Sequence, residues 1–360
     1  MVTEGYWVVP HWNTPGAYGL TAFLEKTPIV FWLQAVSAHI FDDIEFAVRV
    51  PSALAAVLCT IVVYSLAQEA YDRRTAIAAS LVFLVIPPVS VGKHSARSGD
   101  MDMLLLFFGS LFILLLLRYD DEIKTLYYIS FAGALAVFTK GFNAGIFLLV
   151  ALPVIIRKRN IIFNRHLLIS ATTSLGIVAV WFFAVYIEHP GVVSVIVGPL
   201  ERASGSGTIG DPAFSFMSYP YFDRLPIYFW PFGSAVLLST ICAGVNYLYT
   251  RDSAQLFLLW WIVFVPTFFI LTGNHIHYVL PMVIPACIFI GLVSSRVWGL
   301  LQQREVVGID YTMTQYLIIG LIITVGIHAM IPAGDYGSSW DKAQYEMAQN
   351  IDIPEGTPIY

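Results

Sequence analysis

Charged side chains are scarce in this 360-residue chain: Asp, Glu, Lys and Arg make up 12% of it, about half the share of a soluble domain. A water-soluble fold of this size would need far more of them to cover its surface, so that class is excluded. Positive charge is not in excess either. Nineteen Lys and Arg stand against 24 Asp and Glu, a net −5, and this rules out a basic nucleic-acid surface. Cysteine is nearly missing. Cys59, Cys242 and Cys287 each fall inside an apolar run, so neither a disulfide framework nor a zinc spacing can be built, and each is expected as a small buried hydrophobe. No Gly-rich loop ends in Lys-Ser or Lys-Thr, which removes nucleotide hydrolysis. Gly205, Gly207 and Gly210 mimic a dinucleotide fingerprint but lack the βαβ context that gives it meaning. They read as a flexible stretch.

What the chain has in abundance is hydrophobicity: 58% of residues and a mean hydropathy of +0.73. Apolar runs long enough to span a bilayer, allowing for tilt and thinning, occur at about 50–67, 75–92, 103–117, 125–139, 141–156, 167–187, 225–249, 254–272, 278–295 and 315–333. The fold class is therefore all-α, a polytopic membrane helix bundle with about ten transmembrane helices. The short runs 125–139 and 141–156 suggest a hairpin turning at Lys140-Gly141. Gly141 and Gly145, four apart, read as close helix packing.

Loop charges orient the bundle. With ten crossings, Arg73, Arg74, Arg118, Lys124, Arg157, Lys158, Arg159, Arg165, Arg251, Arg296 and Arg304 share one side in short loops, which the positive-inside rule makes cytoplasmic. Lys26, Arg49, Lys93, Arg97, Lys140, Arg202, Arg224 and Lys342 lie opposite, against that preference. Binding an anion at the outer face would explain them. Residues 28–41 are apolar but short, and fit an interfacial helix. The implied organisation is an extracytoplasmic segment 1–46, a membrane domain 47–333 with an outer loop 188–224, and an extracytoplasmic region opening at 334–360.

Five motifs gather on that outer side: Leu24-Glu25-Lys26-Thr27-Pro28, Arg49-Val50-Pro51-Ser52, His94-Ser95-Ala96-Arg97-Ser98-Gly99-Asp100-Met101-Asp102, Phe138-Thr139-Lys140-Gly141, and Asn274-His275-Ile276-His277-Tyr278-Val279-Leu280-Pro281. In this order they resemble the GT-C-fold glycosyltransferases that use polyprenyl-phosphate sugars, a superfamily holding the protein O-mannosyltransferases and the aminoarabinose transferases. The resemblance covers about residues 7–290. Two details depart from it: Lys-Pro-Pro reads Lys26-Thr27-Pro28, and His275 and His277 replace basic residues ahead of Tyr278. Family members also carry a first helix and an Asp-Glu loop ahead of Trp7-Val8-Val9-Pro10, and the tail from Ile353 reads like the opening of a further domain. The resemblance thus implies a longer protein.

It further implies a multi-pass plasma-membrane enzyme with an extracytoplasmic active site. That enzyme moves a sugar from a polyprenyl-phosphate donor to a lipid, protein or glycan acceptor, with membrane lipids as its surroundings and no nucleic acid. The leaving lipid phosphate needs positive charge where its own charge develops, and Lys26, Arg97, Lys140 and Arg202 are the candidates. The acceptor must lose a proton to a carboxylate. Asp102 matches the family's loop aspartate, and Asp100 lies two residues before it. Glu25 is placed to bind sugar hydroxyls or a divalent cation, the one metal the resemblance admits. His275, His277 and Tyr278 fall at the substrate site, and the two histidines could add cation ligands, although an interfacial histidine pair without function is the plainer reading of them. The rivals are a transporter or flippase of lipid-linked sugars, which would show ionisable groups near the bilayer midplane, and a catalytically inactive family member.

Overall fold

A computed structural model describes residues 8–9, 26–193, 225, 228–272 and 276–303, and the described chain is helical. A short helix α1 (Ile29–Ile40) matches the interfacial segment read from the sequence. Then come α2 (Ile44–Ala70), α3 (Arg73–Val85), one turn α4 (Pro87–Ser90), α5 (Asp102–Arg118), α6 (Ile123–Lys140), α7 (Gly145–Arg157) and α8 (Arg165–Glu188). After a stretch outside the described residues follow α9 (Gly233–Thr250), α10 (Ser253–Thr272), a 3-10 segment Ile276–Met282, and α11 (Val283–Gln303). Five apolar helical segments, 44–70, 123–157, 165–188, 253–270 and 276–299, have the length and composition to cross a membrane. The expected span at 315–333 lies outside the described residues.

Local chemistry sets the helix ends. Asp43 caps α2 by accepting from the Glu45 and Phe46 amides at 2.9 and 3.2 Å, so α2 starts six residues earlier than the apolar run indicates. Asp72 caps α3 through the Thr75 amide at 2.8 Å, satisfying amides that have no partner inside the helix. Pro87 and Pro88 stop α3, because neither can donate the amide that would continue it. At the far end of α5, Lys158 Nζ donates to the carbonyls of Leu116, Leu117 and Tyr119 at 3.1, 2.8 and 2.6 Å. A cation there satisfies open carbonyls and suits the negative end of the helix.

The stretch 123–157 turns back on itself as the sequence suggests. Lys140, at the end of α6, meets Asp102 at the start of α5, while α7 returns along α5 to place Lys158 at its other end. α6 and α7 pack on α5 rather than on each other. Gly141 sits at φ +56, a conformation glycine adopts without the Cβ penalty. A Cβ added at Gly141 or Gly145 would meet nothing within 4 Å, so these glycines serve the turn and not helix packing.

Close packing occurs instead between α3 and α11. A Cβ at Gly291 would lie 2.7 Å from the Ala79 nitrogen and 2.8 Å from the Thr75 carbonyl, and one turn on, Thr75 Oγ1 meets Ser295 Oγ at 2.9 Å. Small residues four apart let two backbones approach and hydrogen-bond across the contact, which drives association where lipid gives no hydrophobic advantage. Cys59 and Cys287 are buried as expected, but Cys242 is exposed on the outer surface of α9 among other exposed apolar side chains such as Leu238 and Ile241. Among the described residues nothing covers that apolar face.

Gly291→Ala should lower the stability of the detergent-solubilised chain by about 1–3 kcal/mol, since the blocking atoms are backbone and cannot rotate away. Gly145→Ala should leave it unchanged or slightly raised. Melting curves of the two variants make the comparison, and equal melting would remove the α3–α11 contact as a stability determinant.

Candidate active site

Four separate elements bring ionisable groups to one end of the bundle: the loop 91–101, the first residue of α5, the last residue of α6, and the 3-10 segment after α10. Asp102 and Lys140 are both buried, 4% and 8% exposed, and Lys140 Nζ donates to Asp102 Oδ1 at 2.5 Å. Removing both charges from water is costly, and only direct pairing makes it tolerable. Lys140 also lies 4.9 Å from the centre of the Tyr278 ring, whose face attracts a cation.

His94, in the loop, hydrogen-bonds through Nδ1 to Asp100 Oδ2. The same nitrogen is 3.1 Å from Asp102 Oδ2, so the ring lies between the two carboxylates. The opposite face of the His94 ring stacks on His277, with centroids 3.7 Å apart and planes 23° apart. Burial opposes a charge on His94, but its hydrogen bonds and charge interactions with Asp100 and Asp102 outweigh this and raise its pKa. Burial likewise opposes ionisation of Asp100. The His94 hydrogen bond and charge, with Lys140 behind, prevail and hold the carboxyl well below its usual range.

The loop is held at several points. Gln34 of α1 donates to the carbonyls of Val48 and Gly99 at 3.0 and 2.7 Å. Ser52 Oγ donates to the Asp100 carbonyl at 2.5 Å. Gly99 has φ +67, and a Cβ there would sit 2.9 Å from the Val48 carbonyl oxygen. Glycine is required on both counts. Below the polar cluster a pocket runs between helices, lined by Leu105, Leu106, Ile146, Phe147 and Phe269. Asp102, His277 and Tyr278 form its polar end.

The structure therefore brings together Asp100, Asp102, Lys140, His277 and Tyr278 from the sequence-derived set. Asp102 belongs to the first turn of α5 and not to the loop. Lys26 is half-buried just ahead of α1. Arg97 is exposed, and among the described residues no contact joins it to the cluster. Glu25, Arg202 and His275 lie outside the described residues, and with them the cation site expected at Glu25. His94, Gln34 and Ser52 were not singled out by the sequence. His94 had a signal in standing six residues before Asp100, whereas its stacking on a residue 183 positions away had none.

Comparison with known structures decides the fold. The chain superposes on ArnT from Cupriavidus metallidurans bound to undecaprenyl phosphate with a TM-score of 0.65 at 20% identity, covering 83% of this chain and 55% of that one. The chain shares that fold. A second GT-C structure, the oligosaccharyltransferase AglB from Archaeoglobus fulgidus in complex with an inhibitory peptide and a dolichol-phosphate, matches with a TM-score of 0.57 at 14% identity, over 97% of this chain and 52% of that one. Residues 25–183 of this GT-C chain match the family model of dolichyl-phosphate-mannose-protein mannosyltransferases. Two undecaprenyl phosphate-α-4-amino-4-deoxy-L-arabinose arabinosyl transferases are similar in sequence. The one from Aeromonas hydrophila is 29% identical over 203 residues, 53% of this chain and 35% of the relative. The one from Pseudomonas fluorescens is 26% identical over 308 residues, 81% and 52% respectively. The chain thus spans between a third and about half the length of these relatives.

Lys140→Met should destabilise the chain by about 3–5 kcal/mol, because it strands Asp102 as a buried, unpaired carboxylate. Adding Asp102→Leu should recover much of that loss. Thermal unfolding of the single and double variants reads the coupling, and a double variant no better than Lys140→Met would mean that the pair is not the local constraint.

Proposed function

We propose that this chain is the membrane part of a glycosyltransferase that takes a sugar from a polyprenyl-phosphate donor and passes it to an acceptor at the extracytoplasmic face. One observation carries the reading: at one end of the bundle a buried lysine is fixed by Asp102, a carboxylate that itself lines the polar end of an apolar pocket between helices. A polyprenyl-phosphate sugar has the same polarity, a hydrocarbon tail joined to a monoanionic phosphodiester head. Lys140 keeps N–H donors beyond the one given to Asp102, since an ammonium has three. It can therefore hold Asp102 and a leaving phosphate oxygen together. In this reading Lys26 and Arg97 add positive charge near that head, and His277 and Tyr278, at the polar end of the pocket, meet the sugar.

Breaking the anomeric C–O bond leaves charge on the lipid phosphate, and a fixed cation stabilises it in a site that needs little reorganisation. The acceptor hydroxyl gives its proton to a carboxylate. Asp100 is the more exposed of the two and faces the rim, while Asp102 is committed to holding Lys140. A transporter is disfavoured by the placement of the charged groups, which meet at helix ends and not along the helices' middles.

Transfer of labelled sugar from polyprenyl-phosphate donors in membranes carrying the protein tests the reading. Lys26→Ala should weaken donor use by roughly 10- to 150-fold, the effect of one charge-assisted phosphate contact of about 1.5–3 kcal/mol. Unchanged donor kinetics in an active protein would take Lys26 out of the site. Movement of lipid-linked sugar across vesicles without transfer would favour the transporter.

The orientation is tested separately. A cysteine introduced at exposed Ser98 should react with an impermeant thiol reagent applied to intact cells, and one at exposed Asn160 should not. Reaction at Asn160 alone, or equally at both, would invert or remove the proposed topology.

A further inference from the structure

We propose that the turn joining α7 to α8, residues 156–165, binds the phosphodiester headgroup of an anionic phospholipid. It lies at the end of the bundle away from the Asp102–Lys140 pair, separated from it by the 17 residues of α5, about 25 Å of helix. Four cations fall close together there, Arg157, Lys158, Arg159 and Arg165, and the fold uses them in two ways. Lys158 is turned inward onto the open carbonyls of α5, where the charges of Asp120 and Asp121 also act on it. The three arginines are exposed, and among the described residues none of them pairs with a carboxylate.

The turn is tightly built. The Lys158 amide donates to the Val154 carbonyl at 2.9 Å, Ile161 to Lys158 at 2.9 Å, Ile162 to Arg159 at 3.2 Å and Asn164 to Ile161 at 3.0 Å. Ile161 is buried in the main core. Asn164 then caps α8 by accepting from the His166 amide at 2.9 Å. With Lys158 and Ile161 as the inward anchors, three apolar side chains are left outside beside the arginines: Ile156, Ile162 and Phe163, which are 69%, 42% and 82% exposed.

Exposed arginines interleaved with exposed apolar groups suit a bilayer interface better than water. Aromatic and aliphatic side chains settle at the acyl boundary while guanidinium groups reach the phosphates, two N–H donors to two oxygens. The N-terminus of α8, at the same place, adds partial positive charge. The positive-inside preference accounts for the arginines as a number of charges. It does not call for a hydrogen-bonded turn that holds one cation in and leaves three out beside Phe163. A soluble phosphate would satisfy the arginines yet leave Ile162 and Phe163 in water, so the occupant is a lipid. The inference requires that the chain lie in a membrane and is independent of the transferase reading.

The test uses the chain purified in nonionic detergent, freed of bound lipid, and titrated with fluorescent dioleoylphosphatidylglycerol or dioleoylphosphatidylcholine in mixed micelles. Wild type should bind the phosphatidylglycerol on the order of 100-fold more tightly, since each basic residue near an anionic surface contributes about fivefold, and high salt should shrink the difference. Arg157→Gln, Arg159→Gln and Arg165→Gln should each cost about fivefold, and the triple variant should bind the two lipids alike. Phe163→Ser should weaken both lipids by a similar factor. Arg73→Gln, at an exposed arginine heading α3, should change neither, and inorganic phosphate should not displace the lipid. Melting without lipid checks the fold of each variant, and the single variants replace the triple if it melts lower. Equal affinity for the two lipids in wild type, an undiminished preference in the arginine variants, or the same loss in Arg73→Gln would overturn the proposal. So would displacement by inorganic phosphate, which would make the occupant a soluble anion.

Discussion

The buried pair of Asp102 and Lys140 is the constraint on which one end of the bundle depends. Two charges inside a low-dielectric bundle are tolerable only in contact, so the first residue of α5 and the last of α6 must stay within a hydrogen bond of each other. That contact fixes the relative height of the two helices. It also fixes where the chain turns at Gly141, and so the line along which α7 descends to put Lys158 under the other end of α5. Lys140 and Lys158 thus bracket α5, one at its amino-terminal carboxylate and one at its carboxy-terminal carbonyls. The Tyr278 ring, packed over Lys140, ties the segment after α10 to the same point.

Around this pair the loop 91–101 is held by contacts that are mostly to backbone. Gln34 and Ser52 grip the carbonyls of Gly99 and Asp100, and Gly99 allows an approach to Val48 that any side chain would block. Because the grips fall on backbone, they fix the loop's path while leaving His94 and Asp100 free to do chemistry. Helix α1 therefore does more than precede α2. Through Gln34 it sets the position of the loop that carries His94, Asp100 and the approach to Asp102.

Much of the architecture was legible in composition and hydropathy, because a helix that crosses lipid must be apolar along its length and must satisfy its own backbone. The short helix at 29–40 and the reversal at Gly141 could be read from the lengths of their apolar runs. Asp100, Asp102, Lys140, His277 and Tyr278 stood out because ionisable and aromatic residues at the ends of apolar runs are few. What could not be read was pairing across the fold. His94 meets His277 only because α5 and the segment after α10 are neighbours, and no local pattern records that neighbourhood. Gly141 and Gly145 had the spacing of a packing motif without the packing, whereas Gly291 with Ser295 had both. Spacing identifies small residues four apart but does not say whether another helix lies against them.

The structure also changes the meaning of the outer cations. In the sequence they stand against the positive-inside preference and call for an anion from elsewhere. Two of them have carboxylates within the chain: Arg49 pairs with Glu45 one turn away, and Lys140 with Asp102. The pairs are not equivalent. Arg49 and Glu45 are largely exposed, and water and salt screen them until little net attraction is left. Lys140 and Asp102 are shielded from water, so the dipole they form is screened less than the exposed pair. An arriving phosphate would not need to break the pair, because the ammonium can donate to both. A salt bridge that neutralises a buried lysine in the resting protein thereby also holds it still, and a cation already held in place is the kind that stabilises charge developing on a leaving group.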